Sequence, residues 1–410
     1  MLSTSPAAST SKACGSAPVL SRGVIFLFAL AAGMSVANVY YAQALLDRLA
    51  SDFSISHAAI GGVLTATQVG CALALLLLVP LGDLVERRKL MLVQMVLLVG
   101  ALVLVGFAQS AAMLMAGMLL TGLLGTAMTQ GLIAYAAGAS APGERGRAVG
   151  ATQGGVFLGL LLARVVAGTI SDLSGWRSVY LCAAAAMILL AFPIARRLPR
   201  LPLAQPGMPY PSLLLSMFAL LRRHRTLQIR GVLALLMFAA FNVFWSALVL
   251  VLSAPPYRYS HSLIGAFGLV GALGALVATG AGRLADRGRE RQTSLFALLL
   301  LVLAWLPLSM MSLSLWMLVA GIVLLDAGGQ AIHVTNQGMI LRSTSDAHSR
   351  LIGAYMLFYA VGSGAGAIGA TMVHARAGWI GVCGLGAAIS LLALLFWAAT
   401  YRCIPRRAAS

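Results

Sequence analysis

Charged side chains are scarce in this sequence. Only 9% of the 410 residues are Asp, Glu, Lys or Arg, whereas soluble globular proteins carry about 25%. Ten of the charged residues are acidic. Hydrophobic residues account for 60% of the chain, and they run through its whole length instead of forming one block. These observations exclude an ordinary soluble enzyme and a protein held by a single membrane anchor.

Several chemical signatures are missing as well. The five cysteines are scattered and none forms a Cys-x-x-Cys pair, which excludes a recognisable disulfide framework or zinc site. No phosphate-binding loop of the ATPase type occurs, so primary pumping is not expected. Nucleophile, base and metal ligands do not converge in the sequence, and we therefore predict no enzyme activity, no cofactor and no bound metal.

The hydrophobic residues fall into twelve runs separated by polar residues. A membrane-crossing helix needs about 20 mostly apolar residues, and the alternation over about 10 residues that marks a membrane barrel is absent. The sequence therefore predicts an all-α integral membrane protein with twelve spans, numbered 1 to 12. Their predicted bounds are 23–46, 58–81, 90–108, 111–138, 148–171, 176–195, 229–253, 262–282, 294–313, 315–340, 351–373 and 378–401.

Lys and Arg are distributed unevenly between alternate loops. With the N-terminus in the cytoplasm, 23 of the 28 Lys and Arg residues fall on the cytoplasmic side, four on the opposite side, and Arg164 inside span 5. Cytoplasmic loops of membrane proteins carry such an excess, so we expect a multi-pass cell-membrane protein with both termini in the cytoplasm. This distribution accounts for the net charge of +18 without a nucleic-acid partner.

The predicted spans divide into two halves of six. Residues 1–21 are rich in Ser, Ala and Thr and are predicted to form a disordered tail, and residues 402–410 a cytoplasmic tail. The N-terminal half covers 22–195 and the C-terminal half covers 229–401. Between them, residues 196–228 form a linker rich in Pro and Arg, with a short interfacial helix.

Sequence landmarks repeat between the halves at an offset of 200 to 203 residues. Residues 82–87 (Gly-Asp-Leu-Val-Glu-Arg) follow span 2, and residues 282–287 (Gly-Arg-Leu-Ala-Asp-Arg) follow span 8. A Gly-Trp pair opens span 6 at 175–176 and span 12 at 378–379. Parallel repeats of six helices, with a substrate site between them, are one architecture of secondary transporters.

On these motifs the chain resembles the major facilitator superfamily over nearly all of its length after residue 22. The signature loop of that family is Gly-x-Leu-x-Asp-Arg-x-Gly-Arg-Lys. Residues 82–89 resemble it with Glu86 in the Asp position, and residues 282–289 resemble it but are one residue short. The runs at 38–43 and 326–333 are similar to those of bacterial proton-coupled efflux members. The resemblance implies a twelve-helix fold, two rocking halves and a bacterial inner membrane.

The two signature loops are candidates for a conformational latch, which is the role that the resemblance implies. A glycine lets the helix end approach its neighbour closely, an acidic residue accepts hydrogen bonds, and basic residues anchor the cytoplasmic face. The alternative is an ordinary positively charged loop. The candidate latch residues are Gly82, Glu86, Arg87, Arg88, Gly282, Asp286 and Arg287.

Asp326 is the only carboxylate deep inside a predicted span. A charge at a span centre is disfavoured by roughly 2.5–3.5 kcal/mol on insertion scales, so such residues usually face a cavity and have a function. At about 100° per residue, Asp326, Gln330, His333 and Gln337 form one polar stripe with Asn336 at its border. We predict proton coupling at Asp326 and His333; the alternative is a stripe that only packs against a neighbouring helix.

Arg164 lies inside span 5, with Gln153 on the same predicted helix face. We predict that Arg164 pairs with Asp326 across the interface between the halves or binds an anionic substrate. The alternative is an Arg side chain that reaches toward the membrane surface.

Polar and aromatic residues of spans 1 and 7 are candidates for a substrate cavity. For the tyrosines, anchoring at the membrane surface is the competing interpretation. The complete set of cavity candidates is Asn38, Tyr40, Tyr41, Gln43, Gln153, Gln330, Asn336, Gln337, Asn242 and Trp245.

The combined features predict a secondary active transporter that exports a small organic molecule in exchange for protons by alternating access. The alternatives are an uptake symporter or an organic-anion exchanger using Arg164, and more remotely a polytopic membrane enzyme or a receptor without transport. The expected partners are the small-molecule substrate, protons and the lipid bilayer, and the expected state is a monomer.

Overall fold

The structure is a computed structural model of the chain. It describes residues 21–82, 84–140, 144–198, 209–286, 289–342 and 348–401, and for 275–286, 341–342 and 348–349 it describes the backbone alone. The two predicted tails therefore lie almost wholly outside the described residues. The described part is built of helices joined by short turns.

The spans of the N-terminal half follow the predicted order. Span 1 is Arg22–Tyr40 and continues as a tight turn of helix at Tyr41–Ala44. Span 2 is Gly61–Leu73, Ala74–Leu78 and Val79–Leu81, with a wider helical turn in its middle section. Spans 3 to 6 are Arg87–Gly106, Ala111–Ala139, Arg145–Ser174 and Trp176–Arg197. A short helix, Leu46–Asp52, lies between spans 1 and 2. It is named the outer helix after the side of the membrane on which the predicted topology places it.

The C-terminal half begins after a linker helix, Tyr210–Arg223. Span 7 is Arg225–Leu252, span 8 is His261–Asp286, and span 9 is Glu290–Leu303 with Trp305–Ser309. Span 10 is Leu315–Arg342. Spans 11 and 12 form a nearly continuous helix, His348–Thr400, which is interrupted at Gly378.

The helix lengths confirm the predicted fold class. Among the described residues, ten helices are long and apolar enough to cross a membrane, and the longest of them, Arg350–Thr400, has 51 residues. Its non-helical backbone at Gly378 divides it into two spans. Span 8 is a helix of 26 residues, of which His261–Gly274 is a shorter apolar stretch among the described residues, and this arrangement is consistent with twelve spans.

The internal repeat extends to backbone geometry. Gly175 has φ 83° and Gly378 has φ 60°, a left-handed conformation that glycine adopts without steric penalty. In both halves the next residue is a tryptophan, whose indole N–H donates a hydrogen bond to an earlier segment of the same half. Trp176 donates to Asp52 at 2.7 Å, and Trp379 donates to the Leu308 carbonyl at 2.8 Å.

Asp52 is the acceptor of a small polar cluster at this outer end. It receives the Trp176 indole N–H and lies 2.8 Å from Arg177 Nη1. These hydrogen bonds, and the positive charges of Arg177 and Arg48, hold the pKa of the Asp52 carboxyl below its usual range, against the opposing effect of partial burial. The carboxyl therefore stays ionised at neutral and mildly acidic pH.

The two halves meet along several helix pairs. Span 2 packs against span 11, where Thr65 Oγ1 donates to the Gly364 carbonyl at 2.9 Å and Thr371 Oγ1 donates to the Ala58 carbonyl at 3.2 Å. Span 5 packs against span 8 so closely that a Cβ on Gly168 would lie 2.2 Å from the His261 carbonyl oxygen. These contacts lie toward the Arg-poor loops and join the halves at that end.

The linker helix touches both halves. Tyr210 donates its hydroxyl hydrogen to the Leu77 carbonyl of span 2 at 2.7 Å, and Arg350 of span 11 donates to Ser216 at 2.9 Å. The predicted linker thus contains a helix, Tyr210–Arg223. Span 7 begins at Arg225, so Arg230, which the charge count above included among the 23 cytoplasmic Lys and Arg residues, lies inside a span and is 1% exposed.

Candidate substrate and proton site

Arg164 is buried in the bundle on span 5, with 5% of its surface exposed. Its Nη2 donates to Gln43 Oε1 at 2.8 Å, and its guanidinium carbon lies 4.0 Å from the centre of the Trp245 ring. A desolvated cation over an aromatic face gains about 2 kcal/mol. An amide and an indole thus hold the guanidinium, and among the described residues no carboxylate lies within 4.0 Å of it.

The hydrogen bonds of Arg164 continue into the other half of the protein. Gln43 Nε2 donates to Asn242 Oδ1 at 3.0 Å, and Asn242 Nδ2 donates to Ser363 Oγ at 2.9 Å. This chain of side chains runs from span 5 through span 1 to spans 7 and 11. Because it crosses the interface between the halves, it must break when the halves separate at this level.

Asp326 is buried on span 10 beside the bare backbone of span 8. It is 5% exposed, and its Oδ2 has no hydrogen-bond partner among the described residues. A Cβ on Gly271 would lie 2.9 Å from Asp326 Oδ2, and one on Gly274 would lie 2.6 Å from Asp326 Cβ. A buried carboxylate without a donor is strongly disfavoured, so the site suits a carboxyl that binds a proton.

Arg164 and Asp326 do not form the predicted ion pair in this conformation. Span 8 instead packs against both residues, and a Cβ on Gly268 would lie 3.4 Å from Arg164 Cδ. Both residues thus contact glycines of span 8 that lie about one helical turn apart, Gly268 and Gly271.

A cavity lies between the halves. The hydroxyls of Tyr40 and Tyr359, one from each half, form a hydrogen bond in its lining. The Phe238 ring stands edge-on to Tyr359 and to His333, with centroid distances of 4.3 and 5.2 Å. Mostly aromatic cavities with a few polar groups are typical of small-molecule sites. The lining comprises Tyr40, Leu160, Met237, Phe238, Phe241, Asn242, Gly329, Gln330, His333 and Tyr359.

His333 has a partner on each ring nitrogen. Its Nδ1 lies 2.9 Å from the Tyr355 hydroxyl, and its Nε2 lies 3.2 Å from Gln337 Nε2. A hydroxyl and an amide thus hold the ring in place, and His333 makes no direct contact with Asp326 among the described hydrogen bonds.

Arg230 forms a second buried polar centre within the C-terminal half. Its Nη1 donates to Ser294 Oγ at 2.9 Å and to Asn336 Oδ1 at 3.3 Å, and Asn336 Nδ2 donates back to the Arg230 carbonyl at 3.4 Å. The predicted cavity residue Asn336 is thus a partner of Arg230. The sequence did not single out Arg230, because its charge stands close to the basic end of the linker helix.

Half of the predicted cavity residues line one of two cavities. Gln43 and Trp245 line a further cavity together with Arg164, whereas Tyr40, Asn242 and Gln330 line the first one together with His333. Sequence reasoning missed Phe238, Tyr355 and Tyr359. A signal was present, because Tyr355 and Tyr359 are four residues apart on span 11 and therefore share one helix face.

Three predicted residues lie elsewhere. Tyr41 packs edge-on against Tyr180 inside the N-terminal half, with ring centroids 6.3 Å apart. Asn38 is 1% exposed, and neither side-chain atom of its amide has a hydrogen-bond partner among the described residues. Gln153 is exposed on the surface of span 5. Although Gln153 and Arg164 were predicted to share one helix face, Gln153 is therefore not buried beside Arg164.

The first signature loop binds the ends of neighbouring spans. Arg87 Nε donates to the Gly82 carbonyl at 3.0 Å and its Nη1 to the Ala134 carbonyl at 3.1 Å, whereas Arg88 Nη2 donates to the Ala195 carbonyl at 2.6 Å. These bonds satisfy carbonyl groups of spans 2, 4 and 6. They all lie within the N-terminal half.

The other latch candidates that the structure describes are less crowded than a close approach of two helix ends requires. Glu86 pairs with Lys89 at 3.1 Å. A Cβ on Gly82 would lie 3.3 Å from the Val79 carbonyl oxygen and 3.8 Å from Leu90, so the crowding there is modest. Of the second loop, Arg287 and the side chain of Asp286 lie outside the described residues, as do the surroundings of Gly282.

The acidic, histidine and cysteine side chains that the structure describes form no cluster of three or more arranged to hold a metal ion.

Comparison with known sequences identifies the family of the chain. Residues 24–307 and 232–409 match the Major Facilitator Superfamily. The uncharacterized transporter YgaY of Escherichia coli O157:H7 is 42% identical over 378 residues, which are 92% of this chain and 95% of that protein. A probable sugar efflux transporter of Helicobacter pylori is 25% identical over 91% of this chain and 93% of its own length. A purine ribonucleoside efflux pump, NepI of Escherichia coli, is 30% identical over 38% of this chain and 40% of its own.

Solved structures share the fold. The human organic anion transporter MFSD10 superposes with a TM-score of 0.66 at 20% identity, covering 91% of this chain and 98% of that one. A bacterial homologue of the human lysosomal transporter Spinster, in an inward-facing and occupied conformation, superposes with a TM-score of 0.73 at 14% identity over 93% and 97% of the two chains.

Proposed function

Because the chain belongs to the major facilitator superfamily, we propose that this transporter exports a small organic molecule from a bacterial cell in exchange for protons. In the proposed cycle the two halves rock about the central cavity, so that the substrate site faces one side of the membrane at a time. Asp326 carries or controls the proton, and the Arg164 network responds to its charge.

The observation that supports proton coupling most strongly is the environment of Asp326. Its carboxyl is buried, has no hydrogen-bond partner for Oδ2 among the described residues and lies against glycines of span 8. Binding a proton removes one buried charge, which lowers the barrier to moving the site across the membrane. Arg164 packs against the same helix, span 8, so protonation of Asp326 changes the balance of charges at the interface between the halves.

The cavity supports a substrate of mixed character. Phe238, Tyr40 and Tyr359 offer aromatic faces, and Gln330 and Asn242 offer amide groups. Such a lining fits a small organic molecule that has both an apolar ring or chain and a few hydrogen-bonding groups. We also assign His333 to the substrate-binding groups, since its ring lines the same cavity and stands edge-on to Phe238.

Export is favoured over uptake by the relatives. Two of them are named as efflux transporters, one for sugars and one for purine ribonucleosides. Sugars and nucleosides are therefore the first compounds to test. The relation is distant, and the proposal commits only to a small organic molecule.

An anion exchanger is the second candidate, because Arg164 Nε is buried without a hydrogen-bond partner among the described residues. A substrate carboxylate or phosphate would satisfy this donor. The two candidates differ in energy source: an exchanger needs a counter-anion, whereas the exporter needs a proton gradient.

The test is transport into proteoliposomes under an imposed pH gradient, with substrates first identified from susceptibility and efflux assays on over-expressing cells. Wild-type protein should accumulate substrate when the gradient is applied and lose accumulation when it is dissipated. Asp326→Asn, which imitates the protonated carboxyl, should still bind and exchange substrate but lose gradient-driven accumulation. Asp52→Asn is the matched control, since that carboxyl lies in the outer cluster. Gradient-driven accumulation by Asp326→Asn would refute the proposal.

The orientation is part of the proposal and has its own test. Reporter tags after Ser410 and in the linker at 200–210 should report the cytoplasm, and a tag in the 48–56 loop should report the opposite side. An odd number of crossings between the two ends of the chain would contradict this arrangement.

A further inference from the structure

A polar cluster joins the halves at the Arg-poor end, away from Asp326 and the cavity. His261, the first residue of span 8, lies between Asp47 of the outer helix and Asp172 of span 5. His261 Nε2 is 2.9 Å from Asp47 Oδ1, and His261 Nδ1 is 3.2 Å from Asp172 Oδ1. One histidine of the C-terminal half thus contacts two carboxylates of the N-terminal half.

A neutral ring could donate a hydrogen bond to only one of the two carboxylates. A neutral imidazole has one N–H donor and one bare nitrogen, whereas an imidazolium donates from both nitrogens. Both partners of His261 are carboxylates, which only accept when ionised. With a neutral ring, a bare nitrogen would face the oxygen of Asp47 or Asp172. The imidazolium therefore fits the geometry, and the neutral ring does not.

Asp172 is fixed as an acceptor by several other donors. Its Oδ2 accepts from the Ser262 amide at 2.8 Å and from the Ser262 hydroxyl at 2.6 Å, and Arg48 Nη2 lies 3.0 Å from its Oδ1. Among the described residues Asp47 has no such additional donor, and both of its oxygens contact His261 Nε2, at 2.9 and 3.0 Å. Asp47 therefore depends on the charge of the ring more than Asp172 does.

The charged groups around the ring come from each element that packs against it. Asp47 and Arg48 belong to the outer helix, Asp172 belongs to span 5, and Arg258 in the turn before span 8 is exposed. The His261 side chain is 8% exposed, whereas those of Asp47 and Asp172 are 20% and 21% exposed. Protons from the adjoining aqueous phase can reach the cluster through the carboxylates.

We propose that His261, with Asp47 and Asp172, is a second proton-binding site, which holds the Arg-poor ends of the two halves together when it is protonated. Its ligand is the proton of the solution on that side. Because the site is assembled only when these ends are closed, protonation favours the closed state and deprotonation releases it. The site gives the transporter a way to close that end in response to acid.

The proposal does not depend on Asp326 carrying a proton, since it concerns only the equilibrium between closed and open ends. In an exporter that exchanges substrate for external protons, however, the two sites would act in sequence. Acid on the outside would load the central carboxyl and then close the outer end behind it.

The test measures the distance between the halves at this end without any substrate. Spin labels on Leu173→Cys and Leu313→Cys, two outer residues that are 79% and 74% exposed, report opening by pulsed electron resonance in nanodiscs, after replacement of the native cysteines. The ratio of closed to open molecules should rise on acidification from about pH 8 to about pH 5.5, the range in which histidine changes charge. One linked proton limits the change to about tenfold per pH unit.

His261→Gln is the decisive variant, because an amide cannot be protonated in this range. Its closed-to-open ratio should be nearly independent of pH. Asp47→Asn is the second variant, and it should weaken the pH response while keeping the fold, since Asp172 retains its other donors. Arg177→Gln is the control, because it alters the Asp52 cluster within one half and should leave the response unchanged.

The outcomes separate this proposal from the one for Asp326. A pH response that survives in His261→Gln and in Asp47→Asn overturns the second proton site. A response that is lost in His261→Gln but kept in Asp326→Asn supports it, whatever the transport assays show for Asp326. A response lost only in Asp326→Asn overturns it and assigns the effect to the central carboxyl.

Discussion

Arg164 and Arg230 are two buried guanidinium groups with different surroundings. Both are nearly inaccessible, at 5% and 1% exposure, and neither has a carboxylate within 4.0 Å among the described residues. Arg164 is bonded through Gln43 to Asn242 of the opposite half, whereas Arg230 is bonded to Ser294 and Asn336 of its own half.

This difference bears on what each residue can do in a transporter with two rocking halves. A hydrogen bond within one half persists through the cycle and contributes to stability alone. A hydrogen bond between the halves is made and broken as they move, and so it contributes to the equilibrium between conformations. We therefore expect Arg164 to contribute to transport and Arg230 to contribute to stability, and variants of each arginine test this distinction.

The largest effect is expected for Arg164→Gln. A hydrogen bond to a charged group contributes about 1.5–3 kcal/mol, and this one also anchors the path to Asn242. Transport should fall by roughly ten- to a hundredfold, with insertion and folding largely retained, because Gln keeps a donor near Gln43. Flux per folded protein in proteoliposomes is the measurement, and a rate within a factor of about two of wild type would contradict the assignment.

The opposite pattern is expected for Arg230→Gln. Ser294 and Asn336 would lose a buried donor, and each unsatisfied group costs about 1–3 kcal/mol. The apparent melting temperature in detergent should therefore fall, while transport by the protein that remains folded should stay close to wild type. A large loss of transport at unchanged thermal stability would show that Arg230 takes part in the transport cycle, and it would contradict the distinction between the two arginines.

A smaller effect is expected for Gly271→Ala on span 8, the helix that touches both Arg164 and Asp326. The added Cβ would lie 2.9 Å from Asp326 Oδ2, so the carboxyl must shift. Gradient-driven transport should fall several-fold. Gly384→Ala is the matched control, since an added Cβ there meets nothing within 4 Å. Equal transport by the two variants would show that the contact between span 8 and Asp326 does not matter.

The smallest effect is expected for Asp52→Asn in the outer cluster. The pKa of Asp52 is lowered by its hydrogen bonds from Trp176 and Arg177, so its contribution is present at neutral pH and is lost as the pH falls through that lowered pKa. The partly exposed carboxyl is screened by solvent. The variant should therefore melt slightly earlier at neutral pH and like wild type in strong acid. A larger difference in acid than at neutral pH would contradict this sign.

Sequence reasoning went furthest where a single residue determines backbone or membrane behaviour. The Gly-Trp pairs at 175–176 and 378–379 predicted two corresponding breaks, and the structure has a left-handed glycine at both. Asp326 was found because a carboxylate in an apolar run is conspicuous. The lengths of the apolar runs predicted the membrane-crossing helices, and the ends of these helices differ from the prediction by a few residues.

The remaining features depend on contacts between distant segments. Gln43 meets Asn242 from 199 positions away, and no periodicity in either span predicts that pairing. Arg230 was hidden because it stands next to exposed arginines, and only the packing of span 7 buries it. His261 immediately precedes the predicted span 8, but the two carboxylates that it contacts come from separate segments of the other half, and no local pattern predicts that they meet.

The central claim is that Asp326 gains and loses a proton during function. Infrared difference spectroscopy of the reconstituted protein, between acidic and alkaline buffers, measures the carbonyl stretch of protonated carboxyl groups without any substrate. We expect a protonated-carboxyl band that changes with pH in the wild type and in Asp52→Asn, and that is missing in Asp326→Asn. The same band in all three proteins would contradict the account, because it would assign the titrating carboxyl to another residue.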